Sequence, residues 1–153
     1  MLFLSTFENK IDAKGRISIP APFRNALARS NGGLVLYPNM LKPFIEGCDT
    51  NRMAQYAEAA DQLDQSSEDA EAYFAMMASA REMRIDSDGR IMLTEELIAC
   101  AGLTDDALFA GRGKAFEIWQ PARYREHNQT IKTRVSQTGM PRIDLKSASK
   151  EGD

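Results

Sequence analysis

The sequence predicts an α+β fold in which one small unit occurs twice, with a helical hairpin between the copies and a further helix after the second. Three observations predict it. The segment Ile11-Asp12-Ala13-Lys14-Gly15-Arg16-Ile17-Ser18-Ile19 aligns with Ile85-Asp86-Ser87-Asp88-Gly89-Arg90-Ile91-Met92-Leu93 at an offset of 74, with five of nine positions identical. Between the copies, Met53, Tyr56, Ala57, Ala60 and Leu63, and then Ala70, Tyr73, Phe74 and Met77, recur at helical spacing on either side of a Ser66-Ser67 break. A chain of 153 residues allows one domain or two very small ones. The latter would each bury too little surface to stand comfortably alone, so interdependent halves are expected.

Each copy reads strand, tight turn, strand, short helix, strand, strand. The helix signal is Pro20-Ala21-Pro22-Phe23-Arg24-Asn25-Ala26-Leu27 in the first copy and Thr94-Glu95-Glu96-Leu97-Ile98-Ala99-Cys100-Ala101 in the second. Proline suits a first helical turn, Thr94 an N-cap, and Gly102 the position past a helix end. The later strands follow as Leu34-Val35-Leu36-Tyr37 and Pro43-Phe44-Ile45-Glu46, matched by Ala107-Leu108-Phe109-Ala110 and Ala115-Phe116-Glu117-Ile118-Trp119. These signals divide the chain into unit 1 over residues 5–50, the helical hairpin over 51–80, and unit 2 over 81–126. Residues 127–153 hold the end of the C-terminal helix, which runs to about Ser136, and a polar, flexible tail. The Met and aromatic stripe of the hairpin is expected to pack on the core, with its acidic outer face solvated.

Composition narrows the function. The apolar share is 43% and the charged share 27%, as in an ordinary globular chain. Met1 to Phe7 is apolar but has no basic flank and ends at Glu8-Asn9-Lys10, so neither a signal peptide nor a membrane span is expected, and a cytosolic location is. Cys48 and Cys100 offer neither a disulfide framework nor a metal-ligand spacing. His127 is the single histidine, so no metal site or cofactor is expected. An enzyme built on His127 with Cys48 or Cys100 lacks any pattern that assembles a base, an orienting acid and a nucleophile. His127 itself, near Arg123 and Arg125, is expected on a solvated surface. The net charge is -3, yet it is unevenly spread: basic residues prevail from Glu8 to Arg29 and from Arg112 to Lys150, and acidic ones from Glu46 to Glu71. An acidic chain of this kind can still present a basic face.

The repeated block itself is chemically suggestive. Asp12 and Gly15 are turn formers, and the alternation from Arg16 to Ile19 sets Arg16 and Ser18 on one face with the isoleucines opposite. Lys14 at the turn tip and Arg16 at the strand start are expected to project together from a rigid hairpin. A two-stranded ribbon fits the DNA major groove, where arginine binds guanine O6 and N7 and lysine holds phosphate. For an isolated hairpin, a surface Asp12–Arg16 pair worth about 0–1 kcal/mol would be sufficient explanation. Repetition of Asp, Gly and Arg in two divergent copies points to a shared architecture, which supports fold more strongly than DNA binding.

These residues carry a resemblance. Asp12-Ala13-Lys14-Gly15-Arg16 with Ile19-Pro20 and Phe23-Arg24, together with Asp86-Ser87-Asp88-Gly89-Arg90, resembles the MraZ family of bacterial transcriptional regulators from about Met1 to Ile131. The resemblance implies two AbrB-like units interleaved in a pseudo-twofold, swapped-hairpin β-barrel, and assembly into a homo-oligomeric ring. It also implies nucleoid association and binding, usually as a repressor, to short guanine-rich direct repeats in double-stranded DNA upstream of the division and cell-wall gene cluster. Carried over, the DNA-binding arginine is Arg16, with Lys14 beside it and Arg90 as its counterpart; Lys10 and Arg24 are candidate phosphate contacts. Asp12, Gly15, Asp86 and Gly89 belong to the motif and shape the turns. The second copy departs at Asp88, opposite in charge to Lys14, and at Thr94 in place of Pro20, so the first unit is expected to dominate contact with DNA. Two rivals keep the same fold: an antitoxin-like DNA binder acting through its tail, and a structural ring that binds no DNA.

Overall fold

A computed structural model describes residues 1–145. In chain order its elements are β1 (Thr6–Lys10), β2 (Arg16–Ser18), α1 (Ala21–Ser30), β3 (Leu34–Pro38), β4 (Ile45–Asp49), α2 (Thr50–Asp61) and α3 (Glu68–Ser79). They continue as β5 (Arg81–Met83), β6 (Arg90–Met92), α4 (Glu95–Ala101), β7 (Asp106–Gly111), β8 (Phe116–Trp119) and α5 (Pro121–Thr138). The protein is therefore α+β, with antiparallel strands throughout. Of the tail expected after Gln137, residues 146–153 lie outside the described residues.

Local chemistry sets the ends of the helices. Pro20 and Pro22 stand at the start of α1, where a missing N–H costs nothing, and Asn31 closes it in the left-handed region at φ 57°. Asp49, Ser67 and Thr94 each cap a helix by accepting from the backbone N–H three residues on: Arg52 at 2.8 Å, Ala70 at 3.1 Å and Leu97 at 3.2 Å. Gly102 ends α4 at φ 63°.

The sheet exchanges strands between the two copies. Its order is β1-β7-β8-β4-β3-β5, and β2 pairs with β6 in a separate two-stranded ribbon. Thus β1 of the first copy pairs with β7 of the second, and β5 of the second pairs with β3 of the first. Replacing each strand by its counterpart reproduces the order read from the other end, a twofold relation written in the pairing.

Two expectations need correction. The six-stranded sheet is open, with β1 and β5 as edges, so it is not the closed barrel that the resemblance implied. The ribbon is also not a hairpin of β1 with β2. It forms across the copies, with Arg16 opposite Met92, Ile17 opposite Ile91 and Ser18 opposite Arg90. The physical reason is length: an aspartate turn precedes each ribbon strand, and Pro20 or the Thr94 cap follows it closely, leaving three residues to pair.

The core draws on both copies. Ile17, Ile19, Phe23 and Leu36 from the first meet Ile91, Leu97, Phe109 and Phe116 from the second, all almost fully buried. Phe3 belongs here too. Its ring is fully buried, 5.3 Å from Phe23 and 5.1 Å from Phe116, and its backbone bridges to Gly113. Burying such a side chain contributes roughly 1.5–3 kcal/mol, so the first residues anchor the fold. The hairpin of α2 and α3 packs a second, smaller cluster through Met53 and Met76 against Val35, Tyr37 and Cys48.

Candidate nucleic-acid interface

Both Asp-Gly-Arg turns are built the same way. Asp12 Oδ1 accepts from the backbone N–H groups of Lys14 and Arg16, each at 2.9 Å, while its carbonyl accepts from Gly15 N at 3.0 Å. Asp86 Oδ1 likewise accepts from Asp88 N at 2.9 Å and Arg90 N at 3.0 Å, and its carbonyl from Gly89 N at 3.0 Å. Gly15 and Gly89 lie at φ 83° and 76°, a conformation that penalises any side chain. The carboxylates thus serve the turns. Both are held below the usual aspartate range, chiefly by the backbone hydrogen bond from the arginine of the same turn.

The two turns are locked to each other. Ile19 N donates to Gly89 O at 2.9 Å, and Leu93 N donates to Gly15 O at 2.8 Å. Each glycine is also covered by the other copy's helix, Gly89 by the Arg24 guanidinium and Gly15 by Ile98. A Cβ at Gly89 would lie 2.6 Å from Arg24 Nη1, the end of a long side chain that can yield, so it is the φ of 76° that demands glycine there.

Between the turns, the ribbon's strand alternation sends Ile17 and Ile91 into the core and presents Arg16, Ser18, Arg90 and Met92 outward. The arginines sit diagonally at opposite ends. Arg16 Nε binds Asp12 Oδ2 at 2.7 Å, a contact that takes Nε and not the two terminal nitrogens. Arg90 is held differently: Nη2 donates to Asp88 Oδ2 at 3.3 Å, while Nε lies 3.5 Å from Asp86 Oδ2, in ion-pair range but without a hydrogen bond. One end of the ribbon is therefore cationic, with the exposed Lys14 beside Arg16, and the other is charge-compensated by Asp88.

The remaining candidates are placed as follows. Lys10 is exposed at the end of the edge strand β1, opposite Asp106. Arg24 is half-buried and donates from Nη1 to Ile19 O at 2.7 Å, bracing the second turn; its role in packing was not visible in the sequence. Met92 also stands on the outward face, opposite Arg16, a placement that the alternation Arg90-Ile91-Met92-Leu93 could have revealed because it repeats that of Arg16 to Ile19. His127 is not a free surface residue: its ring stacks on Trp119 with centroids 4.8 Å apart, which fixes the first turns of α5. Cys48 is buried in β4, where burial pushes its thiol up to about 11, away from nucleophile chemistry. Cys100 Sγ faces the Phe44 carbonyl at 3.8 Å. Among the described residues no helix is long and apolar enough to cross a membrane.

Comparison with known proteins takes in most of the chain. The family model described as "MraZ protein, putative antitoxin-like" matches residues 2–73 and 76–142. The protein named transcriptional regulator MraZ from Gluconobacter oxydans is 41% identical over 139 residues, covering 88% of this chain and 85% of its own. Its namesake from Gluconacetobacter diazotrophicus is 39% identical over 145 residues, 92% of each chain, and that from Pelagibacter ubique 38% identical over 128 residues, 82% of each. With a family match that takes in both turns, both copies and the helices between and after them, this chain belongs to the MraZ family.

Proposed function

We propose that the protein is a sequence-specific DNA-binding transcriptional regulator that represses the bacterial division and cell-wall gene cluster and acts on the nucleoid in the cytoplasm. The observation that carries this reading is the ribbon: two strands locked turn to turn, with two arginines on a solvent face and Lys14 at one end. Its support is twofold, the fit of such a ribbon to a major groove and the name that the relatives carry. Arg16 reads guanine in short direct repeats, Lys14 holds phosphate, and Arg90 is the weaker counterpart. Lys10 and Arg24 add peripheral phosphate contacts, Arg24 through the donors that Ile19 leaves open. The strand exchange supports an AbrB-like, swapped-hairpin relation between unit 1 and unit 2, each incomplete alone.

A chain with so few cations at the interface binds weakly as a single copy. A homo-oligomeric ring that presents the same ribbon to evenly spaced repeats gains about 10²- to 10⁴-fold through effective concentration. The test is fluorescence anisotropy with DNA from upstream of the protein's own gene against scrambled DNA at two salt concentrations. Specific, salt-sensitive binding is expected, and equal affinity for both DNAs contradicts the reading. The family model's antitoxin-like description favours one second reading, a DNA binder that neutralises a partner; a stoichiometric partner in native co-purification would select it.

A further inference from the structure

The two copies differ on the ribbon face in a correlated way. At the turn tip, Lys14 of the first copy is replaced by Asp88 of the second; on the strand, Ser18 is replaced by Met92. Because the strands run antiparallel, both differences fall at the same place. Met92 lies directly across from Arg16, at the end that also carries Lys14, whereas Ser18 lies across from Arg90, at the end that carries Asp88. One end thus combines two cations with a thioether. The other combines an arginine engaged by two carboxylates with a hydroxyl.

Met92 is 57% exposed, although its neighbours Ile91 and Leu93 are 1% and 3% exposed. The core has no use for it, and nothing in its own copy's turn engages it. On a surface that is otherwise charged or polar, a flexible apolar side chain held within cross-strand distance of Arg16 has one natural complement in a major groove: the C5-methyl of thymine, the only apolar group displayed there. We infer that Met92 is a specificity-determining residue that contacts a thymine methyl next to the base read by Arg16. This rests on the DNA-binding reading and deepens it: Arg16 supplies hydrogen bonds to one base, and Met92 supplies an apolar contact to its neighbour. The two copies are then unequal in what they read as well as in charge.

The test compares full-length protein binding to two versions of one duplex from upstream of its own gene, made with thymine or with uracil throughout. Uracil pairs as thymine does and lacks only the methyl. The wild type, Met92→Ser, which installs the residue of position 18, and Met92→Leu, which keeps the apolar surface, are measured by anisotropy, with oligomer size checked for each. Any effect of uracil on duplex shape acts on all three proteins alike. Expected is a loss of about fourfold per methyl contacted when uracil replaces thymine, since this removes one buried methyl. That loss should be kept in Met92→Leu and absent in Met92→Ser. Specific binding with no thymine preference, or a preference that survives in Met92→Ser, overturns the inference and leaves the DNA-binding reading standing. Dissociation of the oligomer by Met92→Ser also overturns it, because Met92 would then belong to a contact between copies. No binding of either duplex removes the DNA reading and this inference together.

Discussion

Arg16 and Arg90 occupy equivalent positions in the repeat and unequal environments. Asp12 meets Arg16 at Nε, leaving its terminal nitrogens to solvent, whereas Arg90 gives the terminal Nη2 to Asp88 and keeps Nε only within ion-pair range of Asp86. The terminal nitrogens of Arg16 are the better placed for a bidentate guanine contact. Arg90→Ala is therefore expected to weaken operator binding less than Arg16→Ala. Lys14→Ala should weaken all sequences alike and lower the slope of log affinity against log salt by about 1, as loss of one phosphate contact does. The aspartates set a pH dependence. Their values in the folded protein lie below the ordinary 3.8, so the stability that each turn contributes is present above the unfolded value and is lost as pH falls through the folded one. Hydrogen exchange at the Arg16 and Arg90 amides, which donate to these carboxylates, should accelerate relative to the sheet only in that acidic window; equal protection across it would contradict the assignment.

The elements show what a sequence can reveal and what it cannot. The aspartate turns, the proline start of α1, the Thr94 cap and the helical hairpin were legible because each depends on residues a few positions apart. The pairing of β2 with β6 was not. A three-residue strand carries no record of which distant strand it meets, and the alternation of Arg16 to Ile19 fits a local hairpin equally well. The stacking of His127 and the burial of Phe3 are illegible for the same reason, since their partners Trp119, Phe23 and Phe116 are brought to them only by the folded sheet. Two substitutions probe this level. Thr94→Ala removes the acceptor of the Leu97 amide and should cost about 1 kcal/mol of stability. Gly47→Ala places a Cβ inside the space of the Phe116 ring across the β4–β8 pair, and overpacking there should cost about 1–3 kcal/mol. Denaturant unfolding measures both, and a neutral Gly47→Ala would mean that β8 does not pack on β4 as described.

At the scale of the whole molecule, each copy pairs two of its strands with each other, β3 with β4 and β7 with β8, but neither keeps all four to itself. The first lends β1 to the second, the second lends β5 to the first, and the ribbon needs one strand from each. Residues 1–50 and 81–138 expressed separately should therefore lack a cooperative unfolding transition, and should gain one, if at all, only when combined. The same interlocking explains how so small a protein holds its two turns in fixed relation across the ribbon, as the proposed DNA contact requires. In the proposed function this ribbon contacts DNA through Arg16. The most direct measurement is anisotropy of wild type and Arg16→Ala on the upstream repeats, with oligomer size determined in parallel. Arg16→Ala should lose specific binding while its assembly and unfolding remain those of the wild type. Unchanged binding by a correctly assembled Arg16→Ala would contradict the account.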